Sequence, residues 1–424
     1  MDQLVNLPLT RRDAIRYGLT GLACAAGAGS LLWYLKQQVA LEKELAGVFL
    51  GGAPNENVWT LWNQRGWVKE ASHYLKLGAN VQCKLCPNNC LLAPGDRSHC
   101  RNKVNFNGKL YTMAYANPCT FHIDPVEKKP LFHFHPGTQT FSLATAGCGF
   151  RCLNCQNWEI SQKSPEETKD PSGPSFRLRA PLPAELSLDD MRRLSMFPED
   201  VVAVSEAMKC PSISYTYSEP VDYYEYVYDT AKLAHERKLK NIFVTCGFIN
   251  EEALRDIAPH LDAAHVDLKG FDEAVYQRLN SGHLEPILTT LKVLKEMGVW
   301  FEVINLVVPT YTDNLDSIKR MAGWMVKNLG PDHPLHFSRF HPAHKLSHLP
   351  PTPVETLLSA RDIARAEGLN YVYVGNVRGI PNVENTVCPG CHQVIIERDV
   401  FAITRFDLAD GKCRHCQTKI AGVW

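Results

Sequence analysis

Cysteine is the residue whose placement carries chemistry in this chain. Eleven of its fifteen cysteines fall into three groups, and because the total is odd, complete internal pairing is excluded. The first group is Cys83-x2-Cys86-x3-Cys90-x9-Cys100. Four thiolates this close can converge on one zinc ion or one iron-sulfur cluster; a pair of disulfides or buried thiols is the plainer reading. The last group is Cys388-x2-Cys391, then Cys413-x2-Cys416 after twenty-one residues. Two such pairs, with strand-like runs at Val394–Ile396 and Val400–Ile403 between them, have the spacing of a zinc ribbon, and rubredoxin-like iron is the alternative. Four protein ligands leave no open position, so this metal is structural. The middle group has three cysteines only, Cys148-x3-Cys152-x2-Cys155, on a loop after the apolar run Phe141–Ala146. Clusters generally take four cysteines. Three thiolates therefore imply a remote fourth ligand or an iron with a vacant position, unless they hold zinc or an incomplete structural cluster.

These groups need a frame. After the middle cysteines, strand-like runs at Ser212–Tyr217, Asn241–Thr245, Ala263–Leu268, Val299–Val308, Leu335–Ser338 and Tyr371–Val374 alternate with helix-like segments. The helices are predicted at Val221–Lys238, Glu251–His260, Asp272–Asn280, Pro286–Met297, Asn314–Leu329 and Val354–Glu367. This alternation predicts an α/β chain with six or seven βα units, a partial parallel barrel. In such a barrel ligands gather at the carboxyl ends of the strands. Glu219 and the pair Asp267 and Lys269 are predicted there. The segment 163–200, with six prolines, reads as a surface excursion or lid between the first two strands.

Taken together, the middle cysteine spacing is similar to that of the radical S-adenosylmethionine superfamily. The chain resembles its AmmeMemoRadiSam type, relatives of the pyruvate formate-lyase-activating enzymes. The stretches that carry the resemblance are Cys83–Pro87, Asp124–Leu131, His133–Gly137, Cys148–Trp158, Tyr215–Pro220, Asp267–Lys269, Phe340–Pro342, Tyr373–Asn376 and the terminal cysteine pairs. The resemblance implies a partial (β/α)6-type radical SAM barrel at 136–380. Around it stand a signal or anchor at 1–40, an N-terminal Cys-rich region at 41–135 and a zinc-ribbon-like module at 381–424. It implies a 4Fe-4S cluster on Cys148, Cys152 and Cys155, with S-adenosylmethionine on the fourth iron. Glu219 would meet the methionyl amine, although Tyr217 and Ser218 stand where the superfamily has glycines. Asp267 and Lys269 would face the cofactor, with His341 and Val308-Pro309-Thr310 as weaker candidates. The implied reaction is reductive cleavage to a 5′-deoxyadenosyl radical that abstracts hydrogen from an unidentified substrate, small molecule or protein. A glycyl-radical activase and a non-catalytic iron-sulfur or zinc carrier or scaffold are the alternatives.

Lys plus Arg and Asp plus Glu each total 45, so no net field attracts a polyanion, and nucleic acid is excluded as a general partner. An electron donor is the partner such chemistry requires. Thr10-Arg11-Arg12 precedes an uncharged run from Tyr17 to Leu35, resembling a twin-arginine export signal or a membrane anchor flank. The expected location is therefore exported or membrane-anchored, otherwise cytoplasmic. Cys24 reads as a small apolar residue, and Cys119, Cys210 and Cys246 read as buried thiols. Cys246, ending a strand, could face the site. The histidines at 122, 133, 135, 333, 336, 344 and 348 read mainly as hydrogen-bonded structural groups.

Overall fold

Runs of β-branched and aromatic residues become the parallel strands of one sheet, buried on both faces as their unbroken apolar character requires. The computed structural model describes residues 51–170, 174–178, 180 and 186–424; the paired arginines and the apolar run after them lie outside the described residues. The strands are β1 (Thr120–Pro125), β2 (Gln139–Ala144), β3 (Ser212–Tyr215), β4 (Lys240–Thr245), β5 (Ala263–Asp267), β6 (Trp300–Val307), β7 (Leu335–Arg339) and β8 (Val372–Gly375). They lie side by side in chain order. β2 to β8 are parallel, and β1 is an antiparallel edge strand on β2. Six βα units followed by a seventh parallel strand account for the sheet, with the antiparallel edge unanticipated.

Five helices make the later crossovers: α1 (Tyr224–Glu236), α2 (Glu251–Ile257), α3 (Leu284–Glu296), α4 (Leu315–Leu329) and α5 (Val354–Ala366). α4 shows why they form. Asn314 caps its first turn by accepting from the Ser317 N–H at 2.9 Å. Ile318, Met321, Ala322, Met325 and Leu329 make one buried stripe at helical spacing. Gly330, with φ +94°, ends it.

Two segments depart from the sequence expectation. The predicted helix at Asp272–Asn280 is one α turn, Glu273–Val275, followed by a π-helix at Tyr276–Asn280. The proline-rich excursion is not a plain loop. It carries short helices at Pro165–Thr168 and Leu188–Arg193 and a parallel pair of two-residue strands, Phe176–Arg177 with Leu194–Ser195, before the helix Pro198–Ala207.

The flanking regions share the barrel's packing. Val81, Cys83, Leu85, Leu92 and Leu110 from the N-terminal region lie in the same buried cluster as Phe141, Leu143 and Ile213. At the other end Ile395, Ile396 and Leu408 pack on Phe132, Tyr371 and Tyr373. From Gly51 onward the chain is one compact unit.

Candidate active site

The Cys148 loop leaves the carboxyl end of β2 through Gly147. A Cβ there would stand 2.4 Å from Asn102 Oδ1 and 2.5 Å from the Cys100 carbonyl, and φ is +94°, so only glycine suits the position. The loop is then held from three sides. Its Arg151 and Leu153 N–H groups donate to the carbonyls of Asn280 and Leu279 at 2.9 Å each, on the π-helix. Lys345 N donates to Leu153 O at 3.0 Å. Gly149 N donates to the buried Asp222 carboxylate at 2.6 Å. Leu279 and Asn280 close the π-helix, where the last carbonyls have no partner within the helix and are free for the loop. Donors also reach the sulfurs. Phe150 N lies 3.4 Å from Cys148 Sγ, Asn280 Nδ2 lies 3.2 Å from Cys152 Sγ, and Ser161 Oγ lies 3.1 Å from Cys155 Sγ.

All three thiols open on one cavity of about 620 Å³ at the carboxyl ends of the strands, and Glu219, Asp267 and Lys269 line it too. Glu219 follows β3. Its Oε1 accepts from Thr245 Oγ1 at 2.6 Å, and its Oε2 accepts from Cys246 N at 2.8 Å. No basic side chain pairs with it in these contacts, and burial raises its carboxyl above the ordinary range. Cys246 therefore positions the glutamate through its backbone while its side chain lines the same wall. Asp267 and Lys269, at the end of β5, hold each other at 2.8 Å. Burial opposes both charges. Their mutual attraction outweighs it, keeping the aspartate well below and the lysine well above their ordinary values. His265, two residues earlier on the same face, spans from Asp267 at 3.1 Å to the Lys129 carbonyl at 2.7 Å.

The replacement of glycine at Tyr217 has a structural answer. Tyr217 has φ +65°, the left-handed conformation that a glycine would adopt freely. Its ring and hydroxyl offset that cost. The hydroxyl donates to Asp124, Lys129 stands 4.5 Å over the ring, and Asn157 Nδ2 donates to its carbonyl at 2.6 Å. Asp124 is the hub: Lys128 and Lys129 reach it at 2.7 and 2.6 Å. Glu127–Pro130 of the Asp124–Leu131 stretch thus line the cavity, a role that spacing alone did not disclose.

Other candidates fall elsewhere. His341 is exposed, bonds only weakly to the Asn376 carbonyl at 3.4 Å, and does not line the cavity. Val308, Pro309 and Thr310 do not line it either, nor does any described residue of 163–200. His336 does, at 2.7 Å from Glu302, and His133 lies behind it, between the Ala421 carbonyl and the Tyr373 hydroxyl at 2.6 Å each. Asp222 and Asn280, which hold the cysteine loop, carried no sequence signal beyond proximity to Glu219 and to a predicted helix end.

The terminal cysteines form a different kind of centre. The sulfurs of Cys388, Cys391, Cys413 and Cys416 all lie within 4.8 Å of one another, and no other three His, Cys, Asp or Glu side chains among the described residues do so. Cys388–Cys416 and Cys391–Cys413 are 3.5 and 3.7 Å apart. A tetrahedral ion with bonds of about 2.3 Å places its sulfurs roughly 3.8 Å apart. This group can bind a metal ion. None of the fourteen described cysteines is disulfide-bonded.

Comparison with known proteins bears on the central cavity. The family model of the radical SAM superfamily matches residues 142–324. The uncharacterized protein MJ0808 of Methanocaldococcus jannaschii is 44% identical over 356 residues, 83% of this chain and 99% of that one. This chain belongs to the radical SAM superfamily. Among solved structures, a domain of the pyruvate-formate lyase-activating enzyme from Bacteroides vulgatus is 18% identical. That match covers 38% of this chain and 98% of that one, with a TM-score of 0.34. SuiB of Streptococcus suis is 11% identical, over 55% of this chain and 48% of that one, with a TM-score of 0.41.

A radical SAM protein typically carries a 4Fe-4S cluster and S-adenosylmethionine, and the residues present suit both. The three loop sulfurs do not form a one-ion group of the kind the terminal cysteines make, and all three open on the cavity, where thiolates could serve separate corners of a cluster. Burial raises the free thiols of Cys148 and Cys152, the latter to about 11, so iron uptake there must displace protons. The buried Asn154 Oδ1 on the cavity wall has no protein partner, and Glu219 awaits a cation. The volume falls in the range of about 300–1,000 Å³ usual for small-molecule sites.

Proposed function

We propose that this radical SAM enzyme reductively cleaves S-adenosylmethionine at the Cys148 loop and uses the nucleoside radical to take hydrogen from its substrate. Bound there, the cluster and its nucleotide would supply the one-electron chemistry that breaks the sulfonium bond to the 5′ carbon. The observation that carries the reading is the meeting of Cys148, Cys152, Cys155, Glu219, Asp267 and Lys269 on one cavity. The chain's own residues have separate tasks. Cys148, Cys152 and Cys155 would hold three irons. Glu219, fixed by Thr245 and Cys246, would accept from the methionyl ammonium, since a carboxylate with about four lone-pair sites keeps capacity after its protein bonds. The Asp267–Lys269 pair offers one acceptor and one donor to the nucleoside side.

The rest of the lining is left for substrate. It combines Leu306, His336, Ser338 and Asn376 with Glu384 and Phe401 of the C-terminal module. This enclosure supports a free-standing enzyme that shields its radical from water. The Asp124–Leu131 stretch supports the AmmeMemoRadiSam type, whose motif it carries.

The test is anaerobic reconstitution, dithionite, S-adenosylmethionine and chromatography for 5′-deoxyadenosine. The native chain is expected to form the nucleoside, and Cys152→Ala to lose it by at least a hundredfold. A fully loaded native protein that yields none would leave a carrier of electrons, not an enzyme.

A further inference from the structure

Outside the cavity lies a second set of thiols whose arrangement is informative. Cys83, Cys86 and Cys100 are buried and Cys90 is half-buried. Local bonds bring all four together. Cys83 N donates to the Cys90 carbonyl at 3.0 Å, and Asn89 N donates to the Cys86 carbonyl at 3.0 Å, folding the intervening residues into a turn. His99 N lies 3.5 Å from Cys90 Sγ, and Ser98 Oγ lies 3.1 Å from Cys100 Sγ. Donors aimed at sulfur are the surroundings a thiolate centre uses. No two of these cysteines form a disulfide.

The chain supplies its own ruler for what such a group holds. The C-terminal four have collapsed to the size of one tetrahedral ion. The Cys148 triplet has not, and no three of the N-terminal four have either. Buried and mostly enclosed, the N-terminal thiols share with the cluster loop, and not with the ribbon, the property of forming no one-ion group among the described residues.

Their position adds a second point. The Cys100 carbonyl touches Gly147, next to Cys148. Asn88 Nδ2, two residues from Cys86, donates to the Gly149 carbonyl at 3.1 Å. Arg151 donates to the carbonyls of both His99 and Cys148, and Asn102 Nδ2 donates to the Ala146 carbonyl at 2.8 Å. The two cysteine loops are one hydrogen-bonded body.

We propose that Cys83, Cys86, Cys90 and Cys100 hold a second 4Fe-4S cluster that relays single electrons to the centre at Cys148. The relay rests on the function proposed above; the cluster assignment does not. One electron from an external low-potential one-electron donor enters at the half-buried Cys90 side. It passes by way of the Asn88–Gly149 contact and is consumed in breaking the carbon–sulfur bond of S-adenosylmethionine, which leaves methionine and the 5′-deoxyadenosyl radical. Both centres are thereby returned to their starting oxidation state.

The experiment uses the full chain, reconstituted anaerobically with iron and sulfide. Native protein is expected to hold about eight irons and about eight sulfides, and the triple variant Cys148→Ala/Cys152→Ala/Cys155→Ala about four of each. The variant's reduced cluster should give an electron paramagnetic resonance signal that S-adenosylmethionine does not alter. A second zinc in the native chain, with no iron in the triple variant, overturns the proposal. For the relay, the fully reduced native spectrum should be broadened beyond the sum of the triple variant and Cys83→Ala/Cys86→Ala, and a simply additive spectrum overturns it. Should the latter variant not fold, subtraction of the triple-variant spectrum from the native one gives the same comparison. Eight irons without any 5′-deoxyadenosine would sink the proposed function and leave the second cluster standing.

Discussion

At Glu219 a carboxylate is buried among hydroxyl and backbone donors with no cation of its own beside it. Charge-assisted hydrogen bonds contribute about 1.5–3 kcal/mol, so an ammonium arriving there gains more than an amide could return. Glu219→Gln keeps the shape and removes the charge. It is expected to weaken S-adenosylmethionine binding by tenfold or more, read by equilibrium dialysis of the iron-loaded protein, with little change in melting temperature. An unchanged affinity would show that the amine is held elsewhere. Tyr217 teaches the complementary lesson. A residue can occupy glycine's conformation when its side chain is fastened, here by Asp124 and Lys129, and a sequence motif written in glycines then hides the equivalence.

Between elements, the Cys148 loop exists in its shape because three others meet it: the π-helix, the Asp222 turn and the N-terminal cysteine loop. Gly147→Ala tests that junction. The new methyl would collide with Asn102 Oδ1 and the Cys100 carbonyl, and the left-handed backbone adds roughly 1 kcal/mol. We expect a loss of about 2 kcal/mol or more by denaturant unfolding, with iron content reduced at the same time. This scale also shows what the sequence could disclose. Strands β3 to β8 and most of their helices were legible because buried parallel strands are continuous apolar runs and the crossovers have helical periodicity. The π-helix at Tyr276–Asn280 was not, since its extra residue per turn is stabilised by the loop it serves. β1 was missed because its ladder is fixed by pairing with β2, not by its own polar pattern Thr-Phe-His-Ile-Asp-Pro. Among candidate site residues, the middle thiols, Glu219, Asp267 and Lys269 were singled out by spacing and strand position, and they line one cavity. His341 satisfied the same rule and faces solvent instead, since strand position does not fix the direction of a residue beyond the strand's end.

For the molecule as a whole, the C-terminal module closes the barrel through a buried polar network. His133 bonds to the Ala421 carbonyl and the Tyr373 hydroxyl, Glu302 accepts from His336, and the His133 N–H donates to Glu302 at 2.7 Å. Burial lowers His133 to about 4, and Glu302 is held at about 2 because the His336 and backbone bonds outweigh its burial. The signs agree. As pH falls below the ordinary histidine value of 6.5, the unfolded chain takes up a proton that folded His133 refuses. As pH then falls through 4.5 toward about 2, the same holds for Glu302, so stability is full near neutrality and declines with acid. His133 alone should cost about 2 kcal/mol by pH 5. Melting curves at pH 7 and pH 5 should show this, with a shallower decline in His133→Gln; equal slopes would refute the assignment. A metal ion, which the four terminal cysteines can bind, would support the same module. Cys413→Ser is expected to lose about one metal ion per chain and to loosen the wall carrying Glu384 and Phe401, read as lower metal content and faster proteolysis after residue 380.

The pairing of residues 133–135 with 421–423 has a further consequence. During synthesis, close to three hundred residues must leave the ribosome after His133 before its partners appear, and so distant a contact forms late. The wall that Glu384 and Phe401 give the cavity is therefore among the last parts of the fold to be put in place.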